Sequence, residues 1–166
     1  MIIAGIDPGL SGAVALLSPD AGTVRTLDMP TLVLPRAGKN KREIDAHQLA
    51  RLFADSAPHH VFIEQVGAMP GQGVSSVFAF GKAYGIVIGV LAAQGIRMTM
   101  VAPHKWKHDL RVPAAKDGAR ARASQLFPSG ADQWTRVKDS GRAEAALIAL
   151  WGAQSLQFGR IEGTAA

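Results

Sequence analysis

Residues 1–17 read MIIAGIDPGLSGAVALL, and how this run is interpreted decides the fold. IIAGID and GAVALLS have the branched, apolar character of strands, and DPGLSG between them has the composition of a tight turn. Asp7 stands at the end of the first strand, beside a hydrophobic layer. An ionised carboxylate there is costly unless it is hydrogen-bonded, paired or bound to a cation. Something must therefore compensate Asp7.

Further along the chain, strands alternate with helices. TVRTLDM is a third strand, and EIDAHQLARLFADS then takes a helical period, with Ile44, Leu49, Leu52 and Phe53 on one face. Asp45 and Gln48 have the spacing of a capping box, and Ile44 and Leu49 that of a hydrophobic staple. HHVFIEQV is the fourth strand. After AMPGQG the pattern predicts a long helix over Val74 to Gln94, the strand RMTMVA, helical segments over Lys105 to Leu110 and Ala115 to Phe127, and a last helix over Ser140 to Leu156. This order gives an α/β domain with a mixed sheet. The expected unit is a single domain over residues 1–158, with a frayed tail at 159–166.

Of the 166 residues, 48% are hydrophobic and 19% charged, an ordinary globular composition that needs no disulfides at this length. The absence of cysteine excludes thiolate metal sites. No basic leader precedes an apolar core at the N-terminus, and the longest uncharged apolar stretch, Ala83 to Ile96, is too short for a bilayer. The expectation is a protein of the cell interior with no membrane partner.

Eighteen Lys and Arg face thirteen Asp and Glu, a net charge of +5. The basic residues cluster: Arg36, Lys39, Lys41 and Arg42 in PRAGKNKR, which reads as a loop; then Arg97, Lys105, Lys107, Arg111, Lys116, Arg120 and Arg122; then Arg136, Lys138 and Arg142. Such clustering suits a polyanion, most simply nucleic acid, although any one cluster taken alone is equally a solvated face.

Two further acids share the oddity of Asp7. Glu64 lies inside VFIEQV and Glu144 inside RAEAALIAL, so two of the four glutamates sit in apolar segments. Each has an ordinary role when taken singly: an Asx turn for Asp7, an edge position for Glu64, a polar helix face for Glu144. All three together point to a shared site. Converging without a cation, they would raise one another's pKa values, whereas Mg²⁺, an oxygen-seeking cation, would relieve the repulsion.

GIDPGLSG, FIEQV, FGKAYGIVIGVL, AKDGARARASQLFP and GRAEAALIAL together resemble, in order and spacing, the RuvC-like Holliday junction resolvases of the RNase H-like superfamily, most closely those of phages and prophages. The likeness covers about residues 1 to 155. It implies a five-stranded mixed sheet, its first three strands antiparallel, flanked by helices. It also implies a cytoplasmic enzyme of a bacterial cell or phage-infected host, active on branched DNA. By position, Asp7, Glu64 and Glu144 match catalytic metal ligands, and Lys116 matches a lysine acting at the scissile phosphate. The family's further acid, one helical turn before the last, falls here on Gly141, which ligates nothing. Asp139 is the nearest replacement, or else the N-cap of the last helix.

The implied chemistry is phosphodiester hydrolysis with two Mg²⁺ about 4 Å apart, Mn²⁺ being an acceptable substitute. Two symmetric nicks in a four-way junction imply a homodimer, and the helix from Val74 to Gln94, apolar almost all round, is a candidate interface. The AMPGQG loop follows Glu64 where the family inserts into the junction centre. Met69 with Pro70 is its only apolar wedge, and Gln72 and Lys82 are further expected DNA contacts. Trp106 stands between two lysines, suited either to DNA or, more ordinarily, to the core. Two other classes stay open: a junction-binding protein that does not cut, motivated by Gly141, and an actin-like phosphoryl-transfer enzyme, suggested by GIDPG alone.

Overall fold

The computed structural model describes residues 1–36, 38–68, 71–157 and 159. Met69, the side chains of Arg36 and Lys39, and nearly all of the expected tail lie outside the described residues. In chain order the elements are β1 (Ile3–Asp7), β2 (Ala13–Ser18), β3 (Thr23–Asp28), β4 (Thr31–Arg36), β5 (Lys39–Ile44), α1 (Ala46–Ser56), β6 (His60–Glu64), α2 (Val74–Ala93), β7 (Met98–Val101), α3 (Pro103–Asp109), α4 (Gly118–Leu126) and α5 (Ser140–Gln157). Two short 3-10 helices, Pro128–Trp134 and Val137–Asp139, precede α5.

The main sheet has the order β3-β2-β1-β6-β7. β1, β2 and β3 pair antiparallel, while β6 is parallel to both β1 and β7. The first three strands, α1, α2, α5 and the mixed sheet thus form as the sequence predicts. Asp45 accepts a hydrogen bond from the Gln48 N–H at 3.0 Å and caps α1, and Ile44 and Leu49 share one cluster.

The basic segment PRAGKNKR is not a loop. It is the end of a two-stranded ribbon, β4 paired antiparallel with β5 from Thr31↔Ile44 to Arg36↔Lys39. Gly38, at φ +80°, supplies the left-handed turn. Arg42 anchors the ribbon by donating to the Leu10 carbonyl at 3.1 Å, and Glu43 pairs with Lys82 of α2.

Strand alternation divides the core into two layers. Ala4, Ile6, Val14, Val61 and Ile63 face α1 and α2, meeting Leu49, Phe53, Val87 and Leu91. Ile3, Ala15, Leu17 and Phe62 face the other way, toward α3, α4 and α5. The free edge of β3 is covered: Thr26 N–H donates to Gln133 Oε1 at 2.7 Å, and Gln133 Nε2 donates to the Val24 carbonyl at 2.9 Å.

α5 is buried nearly all round because its small residues let it lie almost on the sheet. A Cβ added at Gly5 would come within 2.2 Å of the Ala145 carbonyl oxygen, and one at Gly152 within 2.1 Å of the Phe62 ring. Only glycine permits that separation, so these positions fix where α5 crosses β1 and β6.

By length and composition α2 would suffice to cross a membrane, because the apolar run continues on both sides of Lys82. In the fold its Ala83, Val87 and Leu91 face is buried against the sheet, while the opposite face is open.

Candidate active site

Ile6 pairs with Ile63 across the parallel β1–β6 ladder, so the next residues, Asp7 and Glu64, stand side by side at the carboxyl ends of adjacent strands. Both project toward the α5 layer, as Gly5 and Phe62 do two residues earlier. In open α/β sheets ligands bind at this end of the strands. α5 adds Glu144, three residues after Gly141. The backbone at Gly141 is so close that a Cβ there would lie 2.9 Å from Asp7 Oδ2 and 2.9 Å from the Ser11 carbonyl oxygen. Gly141 is therefore what lets α5 reach Asp7.

Burial and neighbouring carboxylates shape the titration of Asp7 and Glu64. Asp7 is pushed from 3.8 up to about 7, first by burial, then by Glu144 and Glu64. The Gly9 N–H, at a long 3.5 Å, and Lys107 offset only part of this, so an Asx turn does not account for Asp7. Glu64, 8% exposed, is also raised, by burial and then by Glu144. Its Oε1 accepts a hydrogen bond from Trp106 Nε1 at 3.1 Å. Lys107 Nζ lies 4.0 Å from Glu144 Oε1 and is the cation that acts on both Asp7 and Glu64.

An all-oxygen donor set, two of whose members, Asp7 and Glu64, are held above their ordinary pKa range by burial and by neighbouring carboxylates, suits a hard divalent cation that restores the charged forms. As the side chains stand, no three His, Asp or Glu among the described residues are grouped tightly enough to enclose an ion.

Asp139 is engaged elsewhere. Arg136 grips both its oxygens, Nε on Oδ2 at 2.8 Å and a terminal nitrogen on Oδ1 at 2.9 Å, holding its carboxyl below the usual range. The Arg136 N–H also donates to it, so Asp139 closes a capping box on the 3-10 turn before α5. It thus caps the preceding 3-10 turn, which is neither the N-cap of α5 nor the metal ligand expected from the sequence. Lys116 is exposed in the turn before α4, and the lysine brought to the acids is Lys107.

Several expected DNA contacts also serve the fold. Arg142 holds Asp28 with two hydrogen bonds of 2.7 Å, Arg120 pairs with Asp117, and Arg122 donates to the Leu110 carbonyl at 2.7 Å. Lys105 lies over the Trp151 ring. Lys41, Arg111 and Lys138 occupy exposed or half-exposed positions, and Gln72 is exposed in the turn before α2. Trp106 is fully buried, which settles it as core, but its indole N–H orients Glu64. The run KWK showed charge and an aromatic in sequence; only the placement of α3 against β6 gives the tryptophan that second role.

No family model matches the chain. RuvC from T. thermophilus, solved in complex with a Holliday junction substrate, superposes with a TM-score of 0.67 at 18% identity, covering 96% of each chain. The fold is that of RuvC. The yeast mitochondrial Holliday junction resolvase Ydc2 superposes with a TM-score of 0.57 at 13% identity, over 95% of this chain and 81% of that one. A curated relative, the chloroplastic Holliday junction resolvase MOC1 of Chlamydomonas reinhardtii, is 32% identical over 92 residues, 54% of this chain. That match spans 10% of MOC1's length. The RuvC-like architecture is the α/β, RNase H-like arrangement anticipated from GIDPGLSG onward.

Proposed function

We propose that this protein is a metal-dependent endonuclease selective for branched DNA, resolving four-way junctions by paired, symmetric phosphodiester hydrolysis. The observation that carries the reading is the meeting of Asp7, Glu64 and Glu144 at the carboxyl ends of β1 and β6, on a RuvC-like fold. The similarity to Holliday junction resolvases supports the substrate class.

Asp7, Glu64 and Glu144 would hold Mg²⁺ or Mn²⁺, up to two ions, which when bound neutralise phosphate charge and activate water for attack. The chain's own groups do the rest. Asp7 releases its proton to serve as a ligand, since its carboxyl titrates near 7. Trp106 fixes Glu64 Oε1, leaving its second oxygen for the site. Lys107, beside Glu144, offers an ammonium to the reacting phosphate. Met69 and the glycine-rich segment before α2 are the proposed contacts at the junction centre.

A homodimer would supply the two nicks. Support comes from the outer face of α2, where Val74 is 86% and Phe78 70% exposed. Gly81, Gly85 and Gly89 repeat every four residues on that same face, with open space where each Cβ would be. A second copy of α2 can approach closely there. Gly85→Leu is expected to yield a monomer by sedimentation and to uncouple the two nicks.

One observation favours a second reading, a junction-binding protein that does not cut: Gly141 leaves no room for the further acid and Asp139 is engaged by Arg136. Asp7→Asn and Glu64→Gln separate the two. Under the nuclease reading, the wild type cleaves, and both variants lose cleavage by about 10²-fold or more while retaining junction binding. A wild type that binds but does not cleave supports the second reading.

A further inference from the structure

α3 ends in a Schellman motif: Val112 N–H donates to the Lys107 carbonyl at 2.8 Å, and Arg111 N–H to the His108 carbonyl at 3.0 Å. The motif needs a left-handed residue at position 111, where glycine is usual because it has no Cβ. Here that residue is Arg111, at φ +53°. A non-glycine residue in this conformation carries some backbone strain, and among the described residues Arg111 shares it only with Ala57, at φ +41°, whose methyl group offers nothing to a ligand.

Lys107, His108, Asp109, Arg111 and Val112 line an open pocket of about 690 Å³. Asp109, its one acid, is turned toward the protein: Oδ2 accepts from Trp151 Nε1 at 2.9 Å, and Oδ1 lies 3.3 Å from His108 Nδ1. Lys107 connects the pocket to the acid cluster through its 4.0 Å approach to Glu144. Cations in the last turn of a helix complement its carbonyl end, which accounts for Lys107 and His108 without any ligand. That does not account for an arginine at the position of this helix end whose backbone favours glycine.

We infer that Arg111, with His108 and Lys107, forms a phosphate subsite for the DNA strand next to the scissile phosphate, and that the strain at position 111 is kept for this contact. The inference rests on the nuclease or junction-binding reading of the same face. An arginine fork suits a phosphate, and the pocket's openness suits a continuous strand rather than an enclosed small molecule.

The test is Arg111→Gly, with Arg51→Gln on α1 as a charge-matched control. Binding to a labelled four-way junction is measured in EDTA across a salt series, alongside thermal unfolding. Arg111→Gly is expected to raise the melting temperature, because glycine relieves the backbone. It should also weaken junction binding about 3- to 10-fold and lower the slope of log affinity against log salt by about one. Arg51→Gln should leave both near wild type, and Arg111→Lys should restore most of the affinity. Unchanged affinity and slope in Arg111→Gly would overturn the subsite while leaving the nuclease reading intact. A fall in melting temperature would also overturn it, since Arg111 would then be serving the fold. A wild type with no junction affinity would remove the functional reading and the subsite together.

Discussion

Replacing Asp7 by Asn should stabilise the metal-free protein, although the same change is expected to abolish the proposed nuclease activity. The Asp7 carboxyl titrates near 7 in the folded protein and near 3.8 when unperturbed. The folded state therefore holds a proton that the unfolded chain has released between about pH 4 and 7. Wild-type stability from this group is fully present at low pH and lost as pH rises through 7. A shift of about three units corresponds to at most ~4 kcal/mol above pH 7, at about 1.4 kcal/mol per unit. Asn keeps the shape and carries no charge, so Asp7→Asn should gain up to that amount at pH 8, about 10 °C in melting temperature for a domain this size. The gain should shrink toward zero near pH 4. Urea unfolding in EDTA at pH 5, 6.5 and 8 measures it directly. Mg²⁺ should then stabilise the wild type at pH 8 and leave the variant unmoved, since a ligand stabilises only the state that binds it. A variant no more stable than wild type at pH 8, or equally stabilised by Mg²⁺, would refute the claim that burial and carboxylate repulsion act on Asp7.

Gly141→Ala should displace the Asp7 carboxylate, because the new methyl would lie 2.9 Å from Oδ2; expected are a loss of about 1–3 kcal/mol in unfolding experiments and a larger fall in kcat than in substrate affinity. Trp106→Phe removes the N–H that holds Glu64 Oε1, so Glu64 should titrate higher still and the acid limb of the cleavage pH profile should move to higher pH, with about 1 kcal/mol lost in stability. His60 is buried against Phe62 and Thr99, and burial, then His59 and Arg97, push its pKa below 6.5. The unfolded chain takes up that proton first, so this contribution is lost as pH falls below 6.5, opposite in sign to Asp7. In the Asp7→Asn background, His60→Leu should remove the loss of stability that sets in as pH falls below 6.5, leaving the opposite slope from Glu64, as urea midpoints at pH 6.5 and 5 would show.

The strands and helices of the main sheet were legible because their periods are unmixed. IIAGID and VFIEQV are apolar on both faces up to one acid each, so Asp7 and Glu64 stood out before any geometry. The β4–β5 ribbon was not legible: Pro35, Gly38 and Asn40 carry turn signals, and Lys39, Lys41 and Arg42 carry charge. A ribbon open to solvent, with Val33 56% exposed, buries too little to impose an apolar alternation. The role of Asp139 could not be read either, since capping and ligation use the same carboxylate and only the position of Arg136 distinguishes them. Gly141 looked like a loss in sequence. The packing of α5 against Asp7 gives it a use, because no other residue fits there.

The most direct measurement of the central claim is incubation of the purified protein with a labelled four-way DNA junction and, separately, with linear duplex of the same sequence, in Mg²⁺, Mn²⁺ and EDTA. Paired nicks in the junction are expected with either metal, with none in EDTA and none in the linear duplex. Metal-independent cleavage, or equal cleavage of linear duplex, would contradict the central claim.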